Sequence, residues 1–330
     1  MGVQKGSFST TCVKCIQWFP VLFLGLLIAW SYYAYVYSLS IVLVKSVAIK
    51  GNPDFSQDIL IVVYLIFYHV ILVIFLWCYL KSIWEPPCVP PREFALTEAD
   101  WMALHDVNIT SQDKKTIVEN IVDNRRLPVR MVRRDGNIGL CEICGVIKPD
   151  RAHHCSTCKK CVLQLDHHCP WINNCVGFHN HKYFIIFLGW GTVYCLYMTV
   201  TTAPYFVEFW SNIDLTVDRF QVLFLFIVAT MFGVCQAVLG GYHCYLVGRN
   251  QTTLETFAAL KYRDGSSDPR AFDLGRKANF QEVFGTNCLK AIFPLKTTQG
   301  DGVHWRHRSD RRSLTMLENG LGSSSHLVTS

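Results

Sequence analysis

The chain has 330 residues, enough for one large domain or two small ones. Residues are 51% hydrophobic and only 17% charged, whereas soluble proteins carry about 25% charged residues; the apolar residues gather in four long runs. A net charge of +6 in such a chain marks cytosolic loops beside a membrane rather than a nucleic-acid surface, and no nucleic-acid partner is expected.

Residues 1–16 are short and polar. Residues 17–44 carry no charge, are too long for a signal-peptide core and lack a small-residue cleavage site, so they read as a membrane helix. Residues 59–80 form a second uncharged run, ended by Lys81 and by Pro86 and Pro87. Residues 92–140 are mixed; the spacing of Trp101, Leu104, Ile117, Val118, Ile121 and Val122 predicts one or two amphipathic helices within 98–127. Two more apolar runs, 183–207 and 220–247, follow, and the stretch from about Gln299 is Ser-, Arg- and Gly-rich, a composition that predicts disorder. Fourteen of the 31 Lys and Arg lie in 81–182 and twelve in 248–330. By the positive-inside rule those segments, and with them both termini, face the cytosol. The expected fold is an α-helical multi-pass membrane protein: a cytosolic stretch 1–16, transmembrane helices 1–2 within 17–80, a cytosolic Cys-rich domain 81–182, transmembrane helices 3–4 within 183–247, and a cytosolic tail 248–330.

Between the second and third runs, residues 141–184 hold seven of the fifteen cysteines and six of the twelve histidines. CxxC pairs occur at Cys141/Cys144, Cys155/Cys158 and Cys158/Cys161, with Cys169 and Cys175 following and His153, His154, His167 and His168 interspersed. This density at this spacing points to zinc, which in structural sites takes four Cys or His ligands in a closed tetrahedron. Two Cys₃His sites consume six cysteines and leave one. Spacing alone does not say which. Cys169 is the best candidate, because it follows Asp166, His167 and His168 directly, and a cysteine with a histidine base and an acid to orient that base is an activated nucleophile.

These residues resemble the DHHC-motif protein S-acyltransferases, or palmitoyltransferases, and within them the short-chain four-span animal subgroup. The family pattern is met at Cys141, Cys144, Lys148-Pro149, Arg151, His154-Cys155, Cys158, Cys161, Asp166-His167-His168-Cys169, Cys175, Asn180 and Phe184. The resemblance implies two structural zinc ions, one on Cys141, Cys144, His154 and Cys161, the other on Cys155, Cys158, His168 and Cys175. It implies Cys169 as nucleophile, His167 as its base and Asp166 as orienter. It also assigns a bracing role to Thr252, Thr253 and Glu255, a packing role to Asn279, and an acyl cavity closed by Ser31 and Tyr194 with Trp171 and Phe184 above. The implied reaction carries a long-chain acyl group from acyl-CoA, palmitoyl-CoA above all, through Cys169 to cysteines of membrane-associated proteins near the bilayer. The implied location is an endomembrane, the Golgi first, or the plasma membrane. The Asp-Pro-Gly motif frequent after the second span is replaced here by Glu85-Pro86-Pro87.

Overall fold

A computed structural model describes residues 7–42, 55–211, 216–257 and 260–310. Most of the expected loop 45–58 and the last part of the tail, 311–330, lie outside the described residues. The chain divides into two compact units.

The first unit holds residues 1–84, 169–173 and 183–242. It is built on four long helices, Ser7–Tyr32, Phe55–Trp84, His181–Ser211 and Val217–Gly248. Each contains a stretch long and apolar enough to cross a membrane, the shortest being the 26 residues Ile59–Trp84, where about 20 suffice. Their outward faces are apolar too: Leu26, Ile66, Val73 and Val238 are all exposed. A helix that is hydrophobic all round belongs in lipid. The first helix continues into a π-helical segment, Tyr33–Leu39, that buries Tyr35 and Leu39. The second helix runs past Lys81, beyond the expected end at 80, with the Ser82 hydroxyl donating to the Cys78 carbonyl, and stops at Trp84, just before Pro86 and Pro87. A chain of hydroxyls crosses the interior of this unit. Ser31 Oγ and Tyr194 Oη are 2.9 Å apart, Tyr194 and Tyr68 share a 2.8 Å hydrogen bond, and Tyr35, stacked on Tyr68, donates to Thr201. Each polar tip is thereby satisfied where no water is available.

The second unit holds 85–168, 174–182 and 243–330. The amphipathic stretch forms two helices, Glu98–Leu104 and Ser111–Asn124, each opened by a capping box, Thr97 with Asp100 and Thr110 with Asp113. Leu104, Val118, Ile121 and Val122 are buried with Phe94, Ile147 and Leu163, whereas Trp101 points outward. Four two-stranded antiparallel ladders follow. Three are local hairpins. The fourth pairs Met131–Val132 with Lys261–Tyr262 and so joins the stretch before the cysteines to the C-terminal segment. Lys182 reinforces that junction: its buried ammonium donates to the carbonyls of Lys290 and Leu295 and to Thr297 Oγ1. Contrary to the compositional expectation, 299–310 is packed. Val303 is buried in the core of this unit and Trp305 lies against it. Two apolar residues that find a core outweigh the polar composition of their neighbours.

Candidate active site and metal centres

The cysteine-rich segment is a series of three hairpins: Leu140–Cys141 with Val146–Ile147, His153–Cys155 with Lys160–Val162, and His167–Cys169 with Asn174–Val176. Corresponding positions are fourteen residues apart: Cys141, Cys155 and Cys169 end the first strands, and Gly145, Lys159 and Asn173 all take positive φ at the turns. Gly177 permits the close approach after the third hairpin, since a Cβ there would lie 2.9 Å from Val162 Cγ1 and 3.0 Å from the Leu163 carbonyl.

Each pair of donors at the tip of one hairpin meets a His and a Cys from the next. Cys141, Cys144, His154 and Cys161 place four ligand atoms within 4.8 Å of one another, and so do Cys155, Cys158, His168 and Cys175. These clusters can bind metal ions. In a tetrahedral zinc site with bonds of about 2.3 Å to sulfur and about 2.0 Å to nitrogen, sulfur and nitrogen stand roughly 3.6 Å apart. Here His154 Nδ1 is 3.5, 3.2 and 4.0 Å from the sulfurs of Cys141, Cys144 and Cys161. His168 Nδ1 is 3.4 Å from Cys158 Sγ and 3.7 Å from Cys175 Sγ. Donor set and spacing fit the ion without rearrangement. The third hairpin keeps the first cysteine of the tip pair, Cys169, but has Ile172 where the second would stand, and no fourth hairpin follows to complete a set. Cys169 therefore belongs to neither cluster.

Alternation along the strand His167–Cys169 sends His168 to one face and His167 and Cys169 to the other. His167 donates from Nδ1 to Asp166 Oδ2 at 2.6 Å. Asp166 is buried and also accepts the backbone N–H of Thr253 at Oδ1 and its hydroxyl at Oδ2, both at 2.8 Å. Burial pulls the Asp166 carboxyl upward, but the His167 hydrogen bond and the further donors outweigh it and hold the group well below the usual carboxylate range. Cys169 itself is buried and falls in the unit of membrane helices, as does the rest of the tip, 169–173, where Tyr79 donates to the Trp171 carbonyl at 2.9 Å.

Thr253 is held in turn. Thr252 and Glu255 cap the short helix Thr253–Thr256 reciprocally. Glu255 also receives Nε and Nη2 of Arg151 at 2.7 and 2.9 Å, and Arg151 reaches Asn250 through Nη1 and Nη2. The guanidinium packs against the rings of both Phe272 and Trp305, 4.4 and 4.5 Å from their centroids. Both charged side chains are fully buried, so losing either one strands the other, which costs about 3–5 kcal/mol. The pair also holds Arg151 at a φ of 64°, which an L-residue adopts only under constraint.

These features have counterparts among known proteins. A family model described as DHHC palmitoyltransferase matches residues 135–259. Palmitoyltransferase ZDHHC2 of Danio rerio is 40% identical over 299 residues, 90% of this chain and 79% of that protein. The chain belongs to the DHHC palmitoyltransferase family. Palmitoyltransferase ZDHHC15 of Homo sapiens is 40% identical over 311 residues, 94% of this chain and 87% of that one, and palmitoyltransferase ZDHHC20-A of Danio rerio is 40% identical over 292 residues.

In this DHHC chain the remaining expected residues lie as follows. Ser31 and Tyr194 meet and line a small cavity of about 40 Å³ with Leu24, Phe75 and Met198. Phe184 is buried and packs on Phe187, and Trp171 is half exposed; neither lines that cavity. Asn279 accepts the Leu274 N–H and donates to the Gly248 carbonyl, tying the end of the fourth helix to the helix Arg276–Phe284. A cavity of about 530 Å³ is lined by Arg133, Arg134, Lys148 and Lys261 together with Asp135, Asp150 and Glu255. Sequence reasoning gave Arg151 no role and passed over Lys182 and His243. The partners of Arg151 and Lys182 are 99 to 115 residues away, those of His243 lie in other elements, and no local pattern announces them.

Proposed function

We propose that this chain is a protein S-palmitoyltransferase that moves a long-chain acyl group from acyl-CoA to cysteine thiols of membrane-associated proteins and carries it in transit as a thioester on Cys169. The observation that supports this most is the Asp166–His167 hydrogen bond two residues before, in the sequence, a buried cysteine that stands outside both metal clusters.

The mechanism follows from the donors in place. In the first step Cys169 gives its proton to His167 Nε2 and its sulfur attacks the acyl carbonyl; the carbon–sulfur bond to CoA breaks, and the departing thiolate takes the proton back from His167. In the second step a substrate thiol passes its proton to His167 and attacks the Cys169 thioester, and Cys169 leaves as a thiolate that the imidazolium reprotonates. Asp166 fixes the His167 tautomer and stabilises the imidazolium of each step. The eight ligands named above hold two zinc ions, and because both sets are closed the metal supplies framework alone. Ser31 and Tyr194 form the floor against which the acyl chain ends, with Trp171 and Phe184 nearer its mouth. Thr252, Thr253, Glu255 and Asn279 brace the catalytic segment.

The Cys-rich domain and the polar end segments face the cytosol, in an endomembrane such as the Golgi or in the plasma membrane, where the acceptors carry juxtamembrane cysteines. The exposed sequon Asn108-Ile109-Thr110 should then stay unmodified, and a glycan on it sinks this orientation. The central test is Cys169→Ser in purified protein incubated with labelled palmitoyl-CoA. The hydroxylamine-labile label should vanish while zinc stays at two ions per chain. A label that persists, or a loss of zinc, overturns the assignment.

A further inference from the structure

We infer that Gln236 suits this chain to acyl groups that carry a hydroxyl at or near their far end, its amide oxygen accepting the hydroxyl proton where the acyl chain terminates; this rests on the acyl transfer proposed above and on Ser31 and Tyr194 as the floor of the acyl cavity. All four long helices reach that cavity: Ser31 comes from the first, Phe75 from the second, Tyr194 from the third and Gln236 from the fourth. The other side chains that line it are hydrocarbon or sulfur-containing. Gln236 is the exception. Its Oε1 is buried and has no hydrogen-bond partner among the described residues. Room for the amide comes from Gly191, where a Cβ would collide with Oε1 and stand 3.1 Å from Phe75 Cε2. A buried amide oxygen without a donor is destabilising in an apolar interior, so the position calls for one.

The neighbouring hydroxyls do not supply it, because each carries a single proton. Ser31 donates to the Ile28 carbonyl at 2.7 Å, so Tyr194 donates to Ser31 at 2.9 Å and Tyr68 donates to Tyr194 at 2.8 Å. All three protons are committed, and the donor for Gln236 must arrive with whatever fills the cavity. Roughly 10–15 Å³ of such space holds one water-sized group, so about 40 Å³ takes the end of a chain and not its length. A hydroxyl is the small, uncharged donor that such an end can carry. It takes no part in the reaction: the thioester exchange is the one already described, with CoA as the leaving group. Its pairing with Gln236 replaces the water it gives up on entering an apolar site, a loss that otherwise disfavours the hydroxylated chain.

The test is competition between ω-hydroxypalmitoyl-CoA and palmitoyl-CoA for acyl-enzyme formation by the purified full chain, read by mass as the ratio of the two thioesters. Gln236→Leu puts an apolar side chain in place of the amide. It should lower the hydroxyacyl-to-palmitoyl ratio about 5- to 10-fold relative to wild type, the worth of one hydrogen bond. An equal ratio in the two proteins overturns the inference. A second measurement needs no variant. With wild type, moving the hydroxyl to the middle of the chain should cost a similar factor against ω-hydroxypalmitoyl-CoA, and equal use of the two isomers overturns the inference even if Gln236→Leu fails to fold. Absence of any thioester from palmitoyl-CoA itself in the wild type is a failure of the proposed function, takes the inference with it and is read separately.

Discussion

Asp166 accepts three hydrogen bonds, from the His167 imidazole, the Thr253 backbone and the Thr253 hydroxyl. Thr253→Val keeps the shape and the backbone donor but removes the hydroxyl. A hydrogen bond to a charged group contributes about 1.5–3 kcal/mol, so acyl-enzyme formation should slow roughly 10- to 100-fold with zinc content unchanged. Single-turnover kinetics checks this, and an unaltered rate removes Thr253 from the machinery. A second carboxyl answers to pH. Burial pushes Asp150 up to about 6, against the N–H groups of Met131 and Arg130 that pull it down. Unfolded, it titrates near 3.9. The fold therefore favours its protonated form: the stability it contributes is complete below about pH 4 and is lost as the pH rises through about 6. Asp150→Asn should flatten the stability profile across that window, as denaturant unfolding at successive pH values will show; parallel profiles for the two proteins contradict it. At this scale the Asp166–His167 hydrogen bond was legible in the sequence because the two residues are adjacent. Thr253, whose contact spans 87 residues, was legible only through the family resemblance.

The strands of the three hairpins are two or three residues long. A two-stranded hairpin is marginal in water by itself, so in the proposed zinc-bound form the ions would supply what pairing cannot. Treatment with a strong zinc chelator should abolish acyl-enzyme formation and protease resistance in 141–176. It should leave most of the far-ultraviolet helical signal, because the long helices satisfy their backbone internally. Activity that survives complete metal loss contradicts the framework role. The four long helices were readable from charge-free runs alone, the last three within a few residues at each end, whereas the first starts at Ser7, well before its run. The amphipathic pair at 98–124 was readable from its spacing, although Trp101 kept the period and not the burial. The interleaving of the ligands was not readable from CxxC spacing, which suggests each tip pair but not its partner hairpin. A fourteen-residue period was present in the sequence as the signal for it.

In the four-helix unit, Ser31 and Tyr194 join the first and third long helices by one hydrogen bond, and Tyr68 ties in the second. Tyr194→Ala removes the shared ring. The acyl-enzyme formed from CoA esters of graded length should then shift toward longer chains, each extra methylene accommodated being worth up to about 0.8 kcal/mol, or roughly fourfold in selectivity. An unchanged profile places the floor elsewhere. The least legible part of the chain was 299–310, whose composition hides Val303 and Trp305. Trp305 matters because it covers the Arg151 guanidinium, a contact no compositional argument can supply.

The hairpin series behaves like a short polymer with a terminal unit. The second and third members each give a His and a Cys backward, and the first and second each present a tip pair forward, so each tip pair meets its successor. The last member has no successor. Its tip cysteine, Cys169, stands at the position equivalent to Cys141 and Cys155, and it lies outside both clusters because the array stops at Val176. On the proposed mechanism nucleophilicity in this protein is in that sense an end effect. Appending one more hairpin of the same period, with Ile172→Cys to complete the tip, is the change that would turn the proposed nucleophile into one more ligand.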